Sequence, residues 1–133
     1  MRVFFDTNVL LAAFLTDGLC SRILSRGRRN QFELFTCPFV LKEFEEKLRS
    51  KLSATQSEIR EALSLIKEVA RVVNPKKEHY VKGVCRDADD DHILACAVVA
   101  KVDLLVTGDS DLLAIKQWQG MKIITPRSFE MMF

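Results

Sequence analysis

Four short runs of apolar, largely β-branched or aromatic residues, RVFF, FELFT, DLLVT and MKIIT, are spread along the chain with helix-length segments between them. Strands that are apolar throughout must be covered on both faces, and strands separated by helical segments are joined by crossovers rather than hairpins. That alternation predicts an α/β fold around a parallel sheet. The chain has 133 residues, with no internal repeat, low-complexity tract or long linker, so residues 1–133 are expected to form one domain.

The segments between the strands have helical periodicity. NVLLAAFL and LCSRILSRG read as helices, the second stopped by Gly27. CPFVLKEFEEKLRSKL places Pro38 in a first helical turn, where its missing N–H costs nothing. Ser53 with Gln56, or Thr55 with Glu58, matches a capping box, and Ile59, Ala62, Leu63, Ile66, Val69 and Ala70 fall on one face of the helix that follows. Pro75 and the polar run KKEHY close it. HILACAVVAKV, the end of GDSDLLAI, and PRSFEMMF supply the remaining helices.

The formal charge of +2 gives no overall field that would draw a nucleic acid, so local patches matter more. Arg22, Arg26, Arg28 and Arg29 cluster in SRILSRGRRN, and Lys42, Lys47, Arg49 and Lys51 punctuate the helix after FELFT. Either group is able to contact phosphates, or simply to form a solvated helix face. Cys20, Cys37, Cys85 and Cys96 form no C-x-x-C pair, which argues against a zinc knuckle and for reduced thiols. Asp6 and Asn8 interrupt the apolar N-terminal run, no cleavage site follows, and no stretch approaches a membrane span. A cytoplasmic protein is expected.

The chemistry lies in the acids. Asp6 ends the first strand, and Asp109 and Asp111 follow the third through Gly108, expected to permit a tight turn. In open α/β sheets ligands bind outside the carboxyl ends of the strands, so acids placed there converge. Glu43 lies beside the buried stripe of Val40, Phe44 and Leu48, with Glu45 and Glu46 as competitors. In RDADDDHILA, Asp91 stands one turn before Leu94 and Ala95 and is expected to point along the packed face; Asp90 is the alternative on spacing, and Asp87, Asp89 and Asp90 also suit turn and cap positions. Two unit charges about 4 Å apart repel by roughly 4 kcal/mol at an effective dielectric near 20, more than the ~1 kcal/mol a cap contributes. A pocket of such acids needs a hard divalent cation, Mg²⁺ or Mn²⁺ rather than zinc.

VFFDTNVLLAAF, CPFVLKEF, RDADDDHILACAVVAKVDLLVTGDSDLL and KIITPRSF, taken in order, resemble the PIN-domain nucleases, especially the VapC-like branch of toxin components. The resemblance spans essentially the whole chain. It implies a three-layer α/β/α sandwich with a central parallel sheet and an acidic crevice holding Mg²⁺ or Mn²⁺ for hydrolysis of RNA phosphodiesters. It assigns the metal-binding and catalytic acids to Asp6, Glu43, Asp91 and Asp109, with Asp111 as a further ligand, and supporting polar positions to Thr7, Asn8 and Thr107. It also implies an RNA substrate, a cognate antitoxin and a homodimer that uses apolar helix surface in residues 53–73. Arg22, Arg26, Arg28, Arg29 and Lys42 are then candidate substrate contacts.

Two other functions compete. A phosphatase with Asp6 as nucleophile would want a second Asp where Asn8 stands, and a non-catalytic RNA- or protein-binding module would have no need of mutually repelling acids. His79 and His92 are too few for histidine-based RNA cleavage, with His92 a candidate bystander, and Trp118 suits packing.

Overall fold

The computed structural model describes residues 1–15, 25–76, 85 and 88–132, without the side chains of residues 14 and 15. The elements run β1 (Arg2–Phe5), α1 (Thr7–Leu15), β2 (Glu33–Thr36), α2 (Pro38–Leu52), α3 (Gln56–Val69), β3 (Ala70–Val72), α4 (Ala88–Val99), β4 (Leu104–Val106), α5 (Ser110–Ile115), β5 (Gln117–Trp118), β6 (Met121–Ile124) and α6 (Pro126–Glu130).

The strands form one sheet in the order β3-β2-β1-β4-β6-β5. All neighbours are parallel except β5, which pairs antiparallel with β6. Val3, Phe4 and Phe5 are fully buried, as are Leu105 and Val106. Because consecutive strand residues point to opposite faces, both faces of the central strands are covered, giving the expected helix–sheet–helix layering.

Local signals fix the helices. Pro38 occupies the first turn of α2, which ends at Ser53 in the left-handed conformation (φ 52°). Of the two possible capping boxes, Thr55–Glu58 forms: the Thr55 hydroxyl accepts from the Glu58 N–H at 3.1 Å, and the Glu58 carboxylate accepts from the Thr55 N–H at 3.0 Å. Val40, Phe44 and Leu48 of α2 and Ile59 and Ile66 of α3 are buried. Cys37 and Cys96 are free and fully buried, whereas Cys20 lies outside the described residues. Trp118 packs against the core.

The structure departs from expectation at several points. Ala70 belongs to β3, not to the preceding helical face, and β5 had no counterpart in the sequence reading. The helix expected to begin near His92 starts at Ala88, so Asp89, Asp90 and Asp91 form its first turn. Gly27 lies inside a helical turn at residues 25–28 rather than ending it. Its backbone runs close under Phe32, whose ring would lie 3.1 Å from an added Cβ. Phe32 stacks edge-on against Phe129 at 5.0 Å, and both approach Phe5, tying α6 to the sheet. None of the described helices is long and apolar enough to cross a membrane.

Phe44→Ala removes a fully buried ring and is expected to cost about 3–5 kcal/mol in denaturant unfolding. Arg49→Ala, which removes an exposed pair with Glu45 and an exposed hydrogen bond to Gln56 at 3.4 Å, should cost less than about 1 kcal/mol. Equal losses would show that the core is not built around α2 as described.

Candidate metal centre

The site forms where strand order reverses. From β1 the chain proceeds through β2 to β3 on one side, and β4 starts the other side, so β1 and β4 are parallel neighbours whose carboxyl ends open a crevice. Phe5 and Val106 are in register, which brings Asp6 beside Thr107. The Asp6 N–H donates to the Val106 carbonyl at 3.2 Å, and the Thr107 N–H to that of Ile124 at 3.0 Å.

Thr107 is fully buried and joins the acids of the two strands. Its hydroxyl donates to Asp6 Oδ2 and accepts from the Asp109 N–H at 3.0 Å. The other Asp6 oxygen, Oδ1, accepts from the Val9 N–H at 2.9 Å, so this carboxylate also caps α1. Asp109 caps α5, its Oδ1 accepting from the N–H groups of Asp111 at 2.8 Å and Leu112 at 3.3 Å. Gly108 has no positive φ, and an added Cβ would meet nothing within 4 Å. The expected tight glycine turn is therefore absent, and the Thr107 hydroxyl holds the bend instead.

A crevice of about 300 Å³ opens above these groups, lined by Asp6, Glu43, Asp89, Asp90 and Asp109 together with Thr7, Asn8 and Lys47. Glu43 is aimed by Thr7, whose hydroxyl donates to Glu43 Oε1 at 2.7 Å. Carboxylate oxygens of Asp90, Asp109 and Asp111 lie within 4.8 Å of one another. Asp6 is nearly buried, and that burial pushes its carboxyl above the usual carboxylate range. Hydrogen bonds from Thr107 and Val9 oppose the rise, the nearby Asp109 charge adds to it, and Lys47 opposes it.

Of the expected acids, the crevice brings together Asp6, Glu43 and Asp109, with Asp111 beside Asp109. Asp91 does not line it. Its Oδ1 accepts from the Cys85 N–H at 2.8 Å, on the buried side of α4. Asp90 and Ile93, three residues apart on one helical face, line the crevice instead. The placement has a simple cause: the face of α4 that packs with Leu94 and Ala95 leads into the interior, and the crevice lies one residue, about 100°, around the helix. Asp87 lies outside the described residues.

The basic candidates stand elsewhere. Arg26 pairs with Glu130 at 2.6 Å. Arg28 and Arg29 sit in the turn feeding β2, at the amino ends of the parallel strands and thus opposite the crevice. Lys42 borders an apolar groove with Leu41, Leu63 and Val72. Arg22 and His79 lie outside the described residues. His92 stacks on Phe39, centroids 4.7 Å apart, and is a packing residue, not a bystander in solvent. Among the described residues the basic side chain lining the crevice is Lys47, which the sequence offered only as one of four cations along this helix, four residues after Glu43.

The profile of the PIN domain matches residues 2–111. The chain belongs to the PIN domain family. A chain of VapBC-1 from nontypeable Haemophilus influenzae superposes with a TM-score of 0.67 at 17% identity, covering 96% of this chain and 99% of that one. A chain of VapBC2 from Rickettsia felis, crystallised with a DNA fragment from their promoter, superposes with a TM-score of 0.65 at 13% identity, covering 94% and 98%. At such identities the likeness establishes the PIN fold. No curated protein sequence matches.

The donor set of this PIN domain fits a hard divalent cation. It is all oxygen, three carboxylates converge within 4.8 Å, and Mg²⁺ bonds of about 2.1 Å put opposing ligands about 4 Å apart. Without a cation, Asp6 is a liability. Because its folded pKa is raised, the folded state holds its proton more tightly, and stability falls as pH rises through that pKa. In EDTA at pH 7, Asp6→Asn is expected to melt above wild type. The difference should shrink below the ordinary carboxylate range and be reduced or reversed by Mn²⁺. Melting scans across pH measure this, and a variant less stable than wild type in EDTA would refute it.

Proposed function

We propose that this PIN domain is a Mg²⁺- or Mn²⁺-dependent endoribonuclease that hydrolyses RNA phosphodiesters, and that it serves as the toxin of a toxin–antitoxin pair. The observation that carries the reading is the convergence of oxygen ligands at the β1/β4 switch point, with Asp6 buried at a cost that a helix cap does not offset.

Asp6, Asp90 and Asp109 would hold the cation, with Asp111 and Glu43 completing the set. Bound there, the cation would stabilise charge developing on the phosphoryl oxygens and lower the pKa of a water nucleophile. The chain's own contribution is to aim these ligands. Each Asp6 oxygen accepts one hydrogen bond, from Val9 or Thr107, and so keeps a lone pair facing the crevice. Asp109 Oδ1 serves the α5 cap, leaving Oδ2 for the cation. Thr7 orients Glu43 in the same way.

The two similar folds come from VapBC structures, which supports a toxin role and a cognate antitoxin partner. The half-exposed apolar side chains of Leu52, at the end of α2, and Val72, in the edge strand β3, are consistent with the homodimer expected from the sequence. A phosphoaspartate phosphatase would want a second Asp where Asn8 stands, and a non-catalytic module would have no need of converging acids.

End-labelled single-stranded RNA should be cut in Mg²⁺ or Mn²⁺ and left intact in EDTA. Asp90→Asn should lower the rate at least about 100-fold, the range expected for losing one electrostatic contact to the transition state. Asp91→Asn retains an oxygen for the Cys85 N–H and should lose far less. Metal-independent cutting, or Asp91 proving more important than Asp90, would overturn the assignment.

A further inference from the structure

Among the described residues, Lys47 is the one cation lining a crevice that also presents Asp6, Glu43, Asp89, Asp90 and Asp109. A lysine placed among so many carboxylates would ordinarily pair with one. Among the described residues Lys47 makes no ion pair, and its Nζ donates instead to the amide oxygen of Asn8 at 2.9 Å. An ammonium carries three donors, so this contact fixes its position and leaves two.

The contact is the second rung of a short ladder between α1 and α2. Thr7 meets Glu43, and one residue along α1, Asn8 meets Lys47 one turn farther along α2. The ladder sets the positive charge one turn farther along α2 than Glu43, while keeping it close enough to oppose the rise in the Asp6 pKa. A purely structural counter-ion would gain more by closing onto a carboxylate than by holding a neutral amide at the rim.

We propose that Lys47 is the substrate-phosphate contact of this crevice, its ammonium holding a backbone phosphate of single-stranded RNA beside the acidic cluster. This deepens the nuclease reading and rests on it. A strand approaching five carboxylates is repelled before any bound cation can attract it, and a cation preset at the rim offsets that repulsion where the strand enters. Arg26, Arg28, Arg29 and Lys42, placed away from the crevice, do not provide this contact.

The test is steady-state cleavage of end-labelled single-stranded RNA at saturating Mg²⁺ over a range of KCl, for wild type, Lys47→Met, Lys47→Arg and Asn8→Ala, with melting scans to verify folding. Lys47→Met keeps the stem and removes the charge; KM should rise about tenfold, with a smaller change in kcat, and the slope of log(1/KM) against log[salt] should become shallower by about 0.7. Lys47→Arg should restore most of the affinity and the slope. Asn8→Ala should keep the wild-type slope, since the charge remains. If wild type cleaves but Lys47→Met keeps its KM and slope, or if Asn8→Ala reproduces the whole loss, the phosphate contact is refuted while the nuclease stands. If wild type shows no metal-dependent cleavage, both fall together.

Discussion

The structure turns on one carboxylate that the backbone would not otherwise tolerate. Asp6 terminates the central strand β1, is nearly buried, and is held on one oxygen by the first turn of α1 and on the other by the Thr107 hydroxyl. Thr107 in turn fixes Asp109 through its backbone N–H, so the two strands on either side of the switch point share a single buried hydroxyl. The β1–β4 register therefore sets Asp6 beside Thr107, and one hydrogen bond from Thr107 places Asp109. Preorganisation of this kind places ligands on rigid elements and leaves little to be reorganised when a charge arrives.

That arrangement has an energetic consequence. The metal-free domain carries like charges at close range and a desolvated carboxyl, so binding a cation and stabilising the fold become linked. The surrounding layers have to be strong enough to hold the acids together against their own repulsion. The fully buried central strands, the Phe5–Phe32–Phe129 cluster and the α2 stripe serve that purpose, all with ordinary apolar packing. Such packing depends on volume and pattern more than on residue identity, which is why the PIN fold is kept against the two VapBC chains at 13% and 17% identity.

Much of this was legible in the sequence because local and tertiary signals agree there. The runs at β1 and β4 are apolar on both faces and those at β2 and β6 largely apolar, as buried parallel strands must be, and Pro38 and the Thr55–Glu58 box mark helix starts by local hydrogen-bond chemistry. β3 was hidden because Ala70 continues the α3 period and only three residues pair at an edge, with Arg71 and Val72 exposed. β5 is a two-residue antiparallel addition whose pairing depends on β6 being in place. The choice between Asp90 and Asp91 turned on which side of α4 faces the crevice. Periodicity identifies the buried side of a helix but does not reveal that the crevice lies beyond its edge. Lys47 was one lysine among several until α1 came to lie against α2 and Asn8 reached it.

The central claim is that the acids at the β1/β4 switch point exist to hold one or more divalent cations. Crystals grown or soaked with Mn²⁺, measured for anomalous scattering, test it most directly. The account predicts a peak within bonding distance of carboxylate oxygens of Asp6, Asp90 and Asp109, with Asp91 still turned to the Cys85 amide. An empty crevice at millimolar Mn²⁺, or a peak held by Asp91 with Asp90 pointing away, would contradict it.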